Sequence, residues 1–281
     1  MTATVLVPLD GSEKDGRALP IAVAFAELAH GALHLVRVLD ASPASRGDAE
    51  WTLRAVAERI APTVGGAAGW EVAEGPDVAA VLLRRAAELD ADVVVMATRA
   101  PGPAGRAVHG SVADRVLREG TRPVLLVPPG SQDVHGRRVQ LRRALVPLDG
   151  SAAALAVVEH LLALPRVGEL EIVLLEVVPP ARARERESAP HAAAEREERR
   201  LEAVAGRLRA RGARAEVRVV EGGDPAAVIG AAVRQELADF IAMTTRGAGG
   251  LARAVLGSTA ASVLRASDVP VLLVTPGTAI P

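Results

Sequence analysis

The chain has 281 residues, about half of them apolar, and a formal net charge of −1. Its length suits two domains of ordinary size, and the balanced charge excludes a chain-wide attraction to nucleic acid or to an anionic membrane surface. Cysteine is absent, which excludes disulfides, thiolate nucleophiles and iron–sulfur clusters.

The opening residues, MTATVLVPLDGSE, carry no basic segment followed by a long apolar run, so no signal peptide is expected. No apolar stretch approaches the ~20 residues of a membrane span. A cytoplasmic protein without membrane or nucleic-acid partners is the expectation. The aromatic residues are Phe25, Trp51, Trp70 and Phe240 alone, too few for a stacking platform along a single strand.

In chain order, TVLVPLD (4–10) is a short apolar run that predicts a strand ending at Asp10-Gly11-Ser12. Ser12 with Asp15 three residues on suggests an N-cap for a helix running to about Ala29. LHLVRV (33–38) predicts a second strand, followed by a helix around 49–61 and a strand near 70–74. Val78, Leu82 and Leu89 fall at helical spacing within 77–89. DVVVMA (92–97) is a continuous apolar strand, the pattern of burial on both faces. A loop of small residues, a helix over 111–119 and the strand PVLLV (123–127) complete the set.

The set is then written again. LVPLDGS recurs at 6–12 and 145–151, and RAVHGSVADRVLREGTRPVLLV (106–127) returns as RAVLGSTAASVLRASDVPVLLV (253–274). The offset grows from 139 to 147, so eight extra residues lie in the charged middle of the second copy. A period of this size is a tandem domain duplication, and not a solenoid. Alternating strand and helix patterns with right-handed crossovers predict α/β architecture: two tandem open, doubly wound parallel-sheet domains over 1–130 and 143–281, with a linker at 131–142. Within 181–212, Leu201, Val204 and Leu208 give an inward face to a solvated helix, preceded by a flexible loop up to Pro190.

Function is carried by the loop TTRGAGGLARAVLGSTA (244–260), which precedes a helix. Ligands of open α/β sheets sit beyond the carboxyl ends of strands, where the winding direction switches. A helix start offers unpaired N–H groups and a partial positive charge, which suit phosphate. Gly257 admits close approach, Ser258 and Thr259 add hydroxyls, and Arg246 could pair with a phosphate oxygen. Asp149 ends the first strand of this copy and, with strands one and four as neighbours, would face the same crevice, placed to accept ribose hydroxyls. Glycine-rich loops of this kind also occur as plain tight turns, and Asp10 and Asp149 stand equally in a turn-and-cap context. There is no GxxxxGK[ST] and no GxGxxG after the first strand. His30 and His34 are four apart but straddle Gly31 and a strand start, which speaks against a metal pair; His109 beside Gly110 is solvent-facing or a phosphate contact. No base, paired carboxylates or Ser-His-Asp arrangement can be assigned from spacing, so no catalytic residue is named and a slow ATPase activity is the most that is entertained.

In these features the chain resembles the universal stress proteins in their tandem two-domain form. The resemblance spans both copies and rests on LVPLDGS, on strands ending LVRVLD or LLEVVP, on DVVVMATR and DFIAMTTR, and on the Gly-Ser helix start that closes with PVLLV. It implies strand order 3-2-1-4-5, pairing of the two copies as a pseudo-dimer with homodimerisation of chains, and, in one subgroup, ATP bound through G-x2-G-x9-G-[ST]. Here that register reads Thr244-x2-Gly247-x9-Gly257-Ser258 in the second copy and Ala97, Ala100, Gly110-Ser111 in the first. Pro101 and Pro103 also remove amide donors from the first loop.

The resemblance therefore implies a nucleotide site in the second copy comprising Pro147, Asp149, Val177, Thr244, Arg246, Gly247, Gly257, Ser258 and Thr259. Asp149 would meet the nucleoside, the backbone of Val177 would read adenine, and the amides of Gly247, Gly257, Ser258 and Thr259 would take the phosphates. A degraded second site would comprise Asp10, Val38, Gly110 and Ser111. The implied ligand is ATP, AMP or ADP, with or without Mg2+, in a stress-response regulator that signals to a protein partner yet to be named. A nucleotide-free scaffold of the same fold is the alternative.

Overall fold

The computed structural model describes residues 3–12, 15–39, 45–65, 68–98, 111–131, 139–180, 191–246 and 256–277. The chain divides into two units, Met1–Gln140 and Leu141–Ile280. The first contains β1 (Thr4–Pro8), α1 (Asp15–Leu28), β2 (Ala32–Leu39), α2 (Arg46–Ile60), β3 (Ala68–Glu74), α3 (Val78–Glu88), β4 (Val93–Ala97), α4 (Ser111–Glu119) and β5 (Val124–Val127). Its strands are ordered β3-β2-β1-β4-β5, every pairing parallel. The second contains β6 (Arg143–Leu148), α5 (Ala156–Ala163), β7 (Glu171–Val178), α6 (His191–Ala210), β8 (Arg214–Glu221), α7 (Pro225–Gln235), β9 (Phe240–Thr244), α8 (Ser258–Ala266) and β10 (Val271–Val274). Its order is β8-β7-β6-β9-β10, again all parallel. The expected order 3-2-1-4-5 is thus met within each unit.

The apolar runs become the central strands because both faces of a parallel sheet are covered by crossover helices. Val5, Leu6 and Val7 of β1, Val93 and Val95 of β4, and Leu145 and Val146 of β6 have no exposed surface. Helix starts are set by side chains. Asp77 accepts from the amide of Ala80 ahead of α3, and Asp224 from that of Ala226 ahead of α7, whose first residue is Pro225. The additional residues of the second copy lie between β7 and β8, where α6 has 20 residues against 15 in α2. Leu201, Val204 and Leu208 of α6 are buried, as the apolar spacing required; residues 181–190, read as a loop, lie outside the described residues.

One local expectation is corrected. Ser12 does not cap α1: its buried hydroxyl has no hydrogen-bond partner among the described residues. Instead the Asp15 carboxylate reaches back and accepts from the amides of Asp10 (3.2 Å) and Gly11 (2.7 Å). The amide of Asp15, which a Ser12 cap would need, donates instead to the Ser12 carbonyl at 3.0 Å.

His160 on α5 is 97 % buried in relative terms, with 3 % of its surface exposed, at the position where the first copy carries buried Ile21. Burial pushes its imidazole down to about 4. The folded state therefore resists a proton that the unfolded chain accepts near pH 6.5. Stability is unaffected above pH 6.5, falls between pH 6.5 and 4, and levels off below, a loss of about 3 kcal/mol. Urea titrations from pH 7 to pH 4 should show this loss, and His160→Ile should abolish that part of it; an unchanged pH dependence in the variant would refute the assignment.

Candidate functional site

In the second unit the chain winds from β6 outward through β7 to β8, then returns to the other side of β6 at β9. The crevice of the reversal lies beyond Leu148 and Thr244. The pairing of β6 with β7 ends at Leu148 and Glu176, whereas β7 continues to Val178 and pairs onward with β8. Val177 thus lies past the end of β6, half-buried at the crevice, with Pro147 half-buried on the neighbouring strand.

The turn after β6 is held by its own side chains. Gly150 has φ +82°, a left-handed conformation that favours glycine. The Asp149 carboxylate accepts from the Ser151 amide at 3.0 Å and the Ser151 hydroxyl at 2.6 Å, and that hydroxyl oxygen in turn accepts from the Ala154 amide at 3.1 Å. Asp149 is exposed at the crevice while serving the turn.

At the opposite wall, the Thr244 hydroxyl donates to the Arg246 carbonyl at 2.6 Å, and the Thr245 amide donates to the Val274 carbonyl at 2.9 Å. The Thr245 carbonyl accepts from the Gly257 amide at 2.8 Å. A Cβ on Gly257 would come within 3.2 Å of that carbonyl oxygen. This glycine therefore lets the start of α8 lie against the end of β9, and its amide is already committed to Thr245. That differs from the phosphate role expected for it. The first bond of α8 runs from the Ala261 amide to the Gly257 carbonyl, and no side chain caps the helix. Among the described residues, the amides of Ser258, Thr259 and Ala260 meet no acceptor. Ser258 is exposed and Thr259 half-buried. Arg246 is half-buried at the loop entrance, while Gly247 lies outside the described residues.

In the first unit the equivalent cleft is open, with a volume of about 240 Å3, bounded by Asp10, Asp15, Val38, Met96, Ala97 and Ser111 among others. Gly110, Ala100, Pro101, Pro103 and His109 lie outside the described residues. Asp10 repeats the turn by accepting from the Ser12 amide at 2.9 Å. Here, however, Asp15 fills the amides of Asp10 and Gly11 and adds a second carboxylate to the cleft. Burial pushes the Asp15 carboxyl up, against the pull of those two amides, with neighbouring Asp10 raising it further and Arg37 opposing.

Beneath this turn the two copies carry opposite charges. Arg37 of β2 packs its guanidinium against Gly11, whose φ is +79°. The same repeat position in β7 is Glu176, 3 % exposed at its side chain and 3.7 Å from the Arg200 guanidinium of α6. Arg200 also donates to the Gly150 carbonyl at 2.9 Å. So the first turn is braced by a cation from a strand and an anion from α1, the second by an anion from a strand and a cation from α6. Asp15 was expected only at a helix start, and Arg37, Glu176 and Arg200 were not expected at the site. The signal was available in the strand patterns LVRVL and LLEVV, each of which interrupts an apolar run with one charge.

The model of the universal stress protein family matches residues 1–128 and again residues 140–275. The chain belongs to that family and carries its domain twice. The crystal structure of a universal stress protein from Archaeoglobus fulgidus DSM 4304 is similar at 24 % identity, covering 98 % of each chain, with a TM-score of 0.73. That of a functionally unknown protein from Pseudomonas aeruginosa PAO1 is similar at 16 % identity over 98 % of this chain and 93 % of the other, TM-score 0.69. At these identities the structures share the fold. No curated protein matches the chain. Among the described residues no helix is long and apolar enough to cross a membrane, and no three metal-ligating side chains converge.

The Glu176–Arg200 brace yields a stability test. Arg200→Ala removes the cation beside a buried carboxylate, and should destabilise the protein by about 2 kcal/mol, since the arginine is itself partly exposed. Adding Glu176→Gln should restore most of that loss. Urea denaturation of the single and double variants measures both; additive losses would contradict the pairing.

Proposed function

We propose that the second copy binds an adenine nucleotide, with ATP the favoured form, and that the protein is a cytoplasmic stress-response regulator whose nucleotide state alters its conformation or its choice of partner. The observation that carries this reading is the start of α8: Ser258, Thr259 and Ala260 offer amides without a described acceptor, at the positive end of a helix dipole, beside the switch of winding direction. Gly257 contributes by bringing that helix end against β9, with its own amide spent on Thr245. In this reading the hydroxyls of Ser258 and Thr259 and the guanidinium of Arg246 join the phosphate contacts. Asp149 meets the ribose, Val177 meets the adenine edge through its backbone past the end of β6, and Pro147 and Thr244 line the approach. Gly247 supplies a further amide. Mg2+ accompanying the nucleotide would ride on the phosphates, because no cluster of protein ligands awaits it among the described residues.

A different reading is favoured for the first copy. Asp15 occupies the turn amides and adds negative charge next to Asp10, which opposes a polyphosphate. We take Asp10, Val38, Gly110 and Ser111 as a degraded site within a scaffold.

Calorimetric titration of the full chain with ATP should give close to one site per chain. Gly257→Pro should abolish binding. Ser258→Pro is the cleaner variant: proline is favoured at the first helical position, and Gly257 with ψ 150° suits a following proline. It deletes one amide and one hydroxyl while leaving the fold intact, and should weaken ATP about ten- to a hundred-fold. Two equal sites, or undiminished affinity in Ser258→Pro, would overturn the reading.

A further inference from the structure

The opposite end of the second sheet carries a feature with no counterpart role in nucleotide binding. In each unit the helix before the fourth strand packs on the helix before the fifth: α3 on α4, and α7 on α8. Between α3 and α4 lies a groove of only about 90 Å3. Between α7 and α8 the same groove measures about 320 Å3 and is lined by Gly230, Val233, Leu237, Ile241, Val263 and Val269 among others.

The repeat offset of 147 identifies what opened it. Leu83, which in the first copy lies near Gly120 across the groove, becomes Gly230, and Glu119 becomes Ala266. Arg122, which lines the first groove and pairs with Asp90 at 2.6 Å, becomes Val269, and Asp90 becomes Leu237. A polar pair has become an apolar one.

Two of these residues carry a structural penalty. Gly230 sits inside α7, where glycine weakens a helix, and a Cβ there would meet nothing within 4 Å, so the fold does not demand it. Leu237 has φ +51°, a left-handed conformation that costs a leucine more than the aspartate at the matching Asp90 (φ +48°), and it exposes 79 % of its surface. Arg234, which replaces Ala87, adds a cation at the rim, and no carboxylate pairs with it among the described residues.

We propose that this groove binds a small single-tailed amphiphile with an anionic head: the apolar tail lies between α7 and α8, and the carboxylate meets Arg234. At the ~30 Å3 that one water-sized group occupies, the volume holds about ten heavy atoms, at the lower end of the ~300–1,000 Å3 of ligand cavities. Asp268 also lines the groove and, bearing the head's own charge, disfavours it on that side. The groove is independent of the nucleotide crevice, which lies at the other end of the strands.

Decanoate, kept below its micelle concentration, is the probe. Titration of the full-length protein should give saturable binding to one site and raise the melting temperature. Gly230→Leu, which restores the residue of the first copy into open space, should weaken decanoate at least ten-fold without loss of folding, as should the Gly230→Leu/Ala266→Glu pair. Arg234→Ala should weaken decanoate while leaving decan-1-ol unchanged. Absence of saturable binding overturns the proposal, as does equal affinity in Gly230→Leu. Self-association of the chain that Gly230→Leu disrupts, in place of decanoate binding, also overturns it and makes the groove a protein contact.

Discussion

Parallel pairing is the constraint from which the rest follows. A parallel strand cannot return by a hairpin, so each strand is followed by a helix that crosses the sheet and starts the next strand at the same end. Every strand but the last in either unit obeys this. Within each unit all carboxyl ends of strands and all amino ends of helices therefore gather on one side, and the converse ends on the other. The first side is rich in unpaired amides and tight turns; the second is rich in helix C-termini and strand starts. The crevice proposed for a nucleotide and the groove proposed for an amphiphile belong to these two sides, and each side has diverged separately between the copies.

At the carboxyl end the divergence preserves an electrostatic balance while reversing its signs. Arg37 and Glu176 occupy one repeat position beneath one turn. Each charge is buried or packed against a glycine, so each requires a counter-charge nearby. The partner comes from α1 as Asp15 in one case and from α6 as Arg200 in the other. The choice has a consequence for the crevice. The first solution projects a carboxylate among the turn amides, whereas the second projects a guanidinium onto a turn carbonyl. The second copy has Ala154 at the repeat position of Asp15, so no carboxylate stands on its turn amides from that side, although the visible loop motifs differ only modestly.

The architecture was legible because it depends on short-range pattern. Apolar runs such as DVVVMA mark strands covered on both faces, and the second writing of LVPLDGS and PVLLV marks the duplication. Leu201, Val204 and Leu208 marked the inner face of α6 at helical spacing. Details that depend on three or more elements were not legible. Ser12 looked like a cap because the spacing to Asp15 fits one, yet the Asp15 amide goes to the Ser12 carbonyl and the Asp15 carboxylate turns back to the amides of Asp10 and Gly11. Gly257 fits a family pattern for phosphate, and the pattern cannot distinguish a glycine that faces a ligand from one that faces a strand carbonyl 3.2 Å away from its missing Cβ. The groove between α7 and α8 is invisible in sequence, since Gly230, Leu237, Ala266 and Val269 belong to two helices and the turns after them.

The duplication supplies its own control for that groove. Both copies fold by the same rules, so a residue that is poorer for the fold in one copy than in the other requires a reason beyond folding. Glycine in place of leucine in a helix costs about 1 kcal/mol in propensity, and a left-handed leucine costs on the order of 1 kcal/mol or more. The ion pair given up at the rim was exposed on its aspartate side and is worth little, but an exposed leucine in its place gains nothing from water. Against a net stability of ~5–15 kcal/mol for a typical domain, two such costs on one groove are a substantial share. They act together in one direction, toward a wider and more apolar cavity, and random drift in independent residues would not be expected to agree so closely on a single volume.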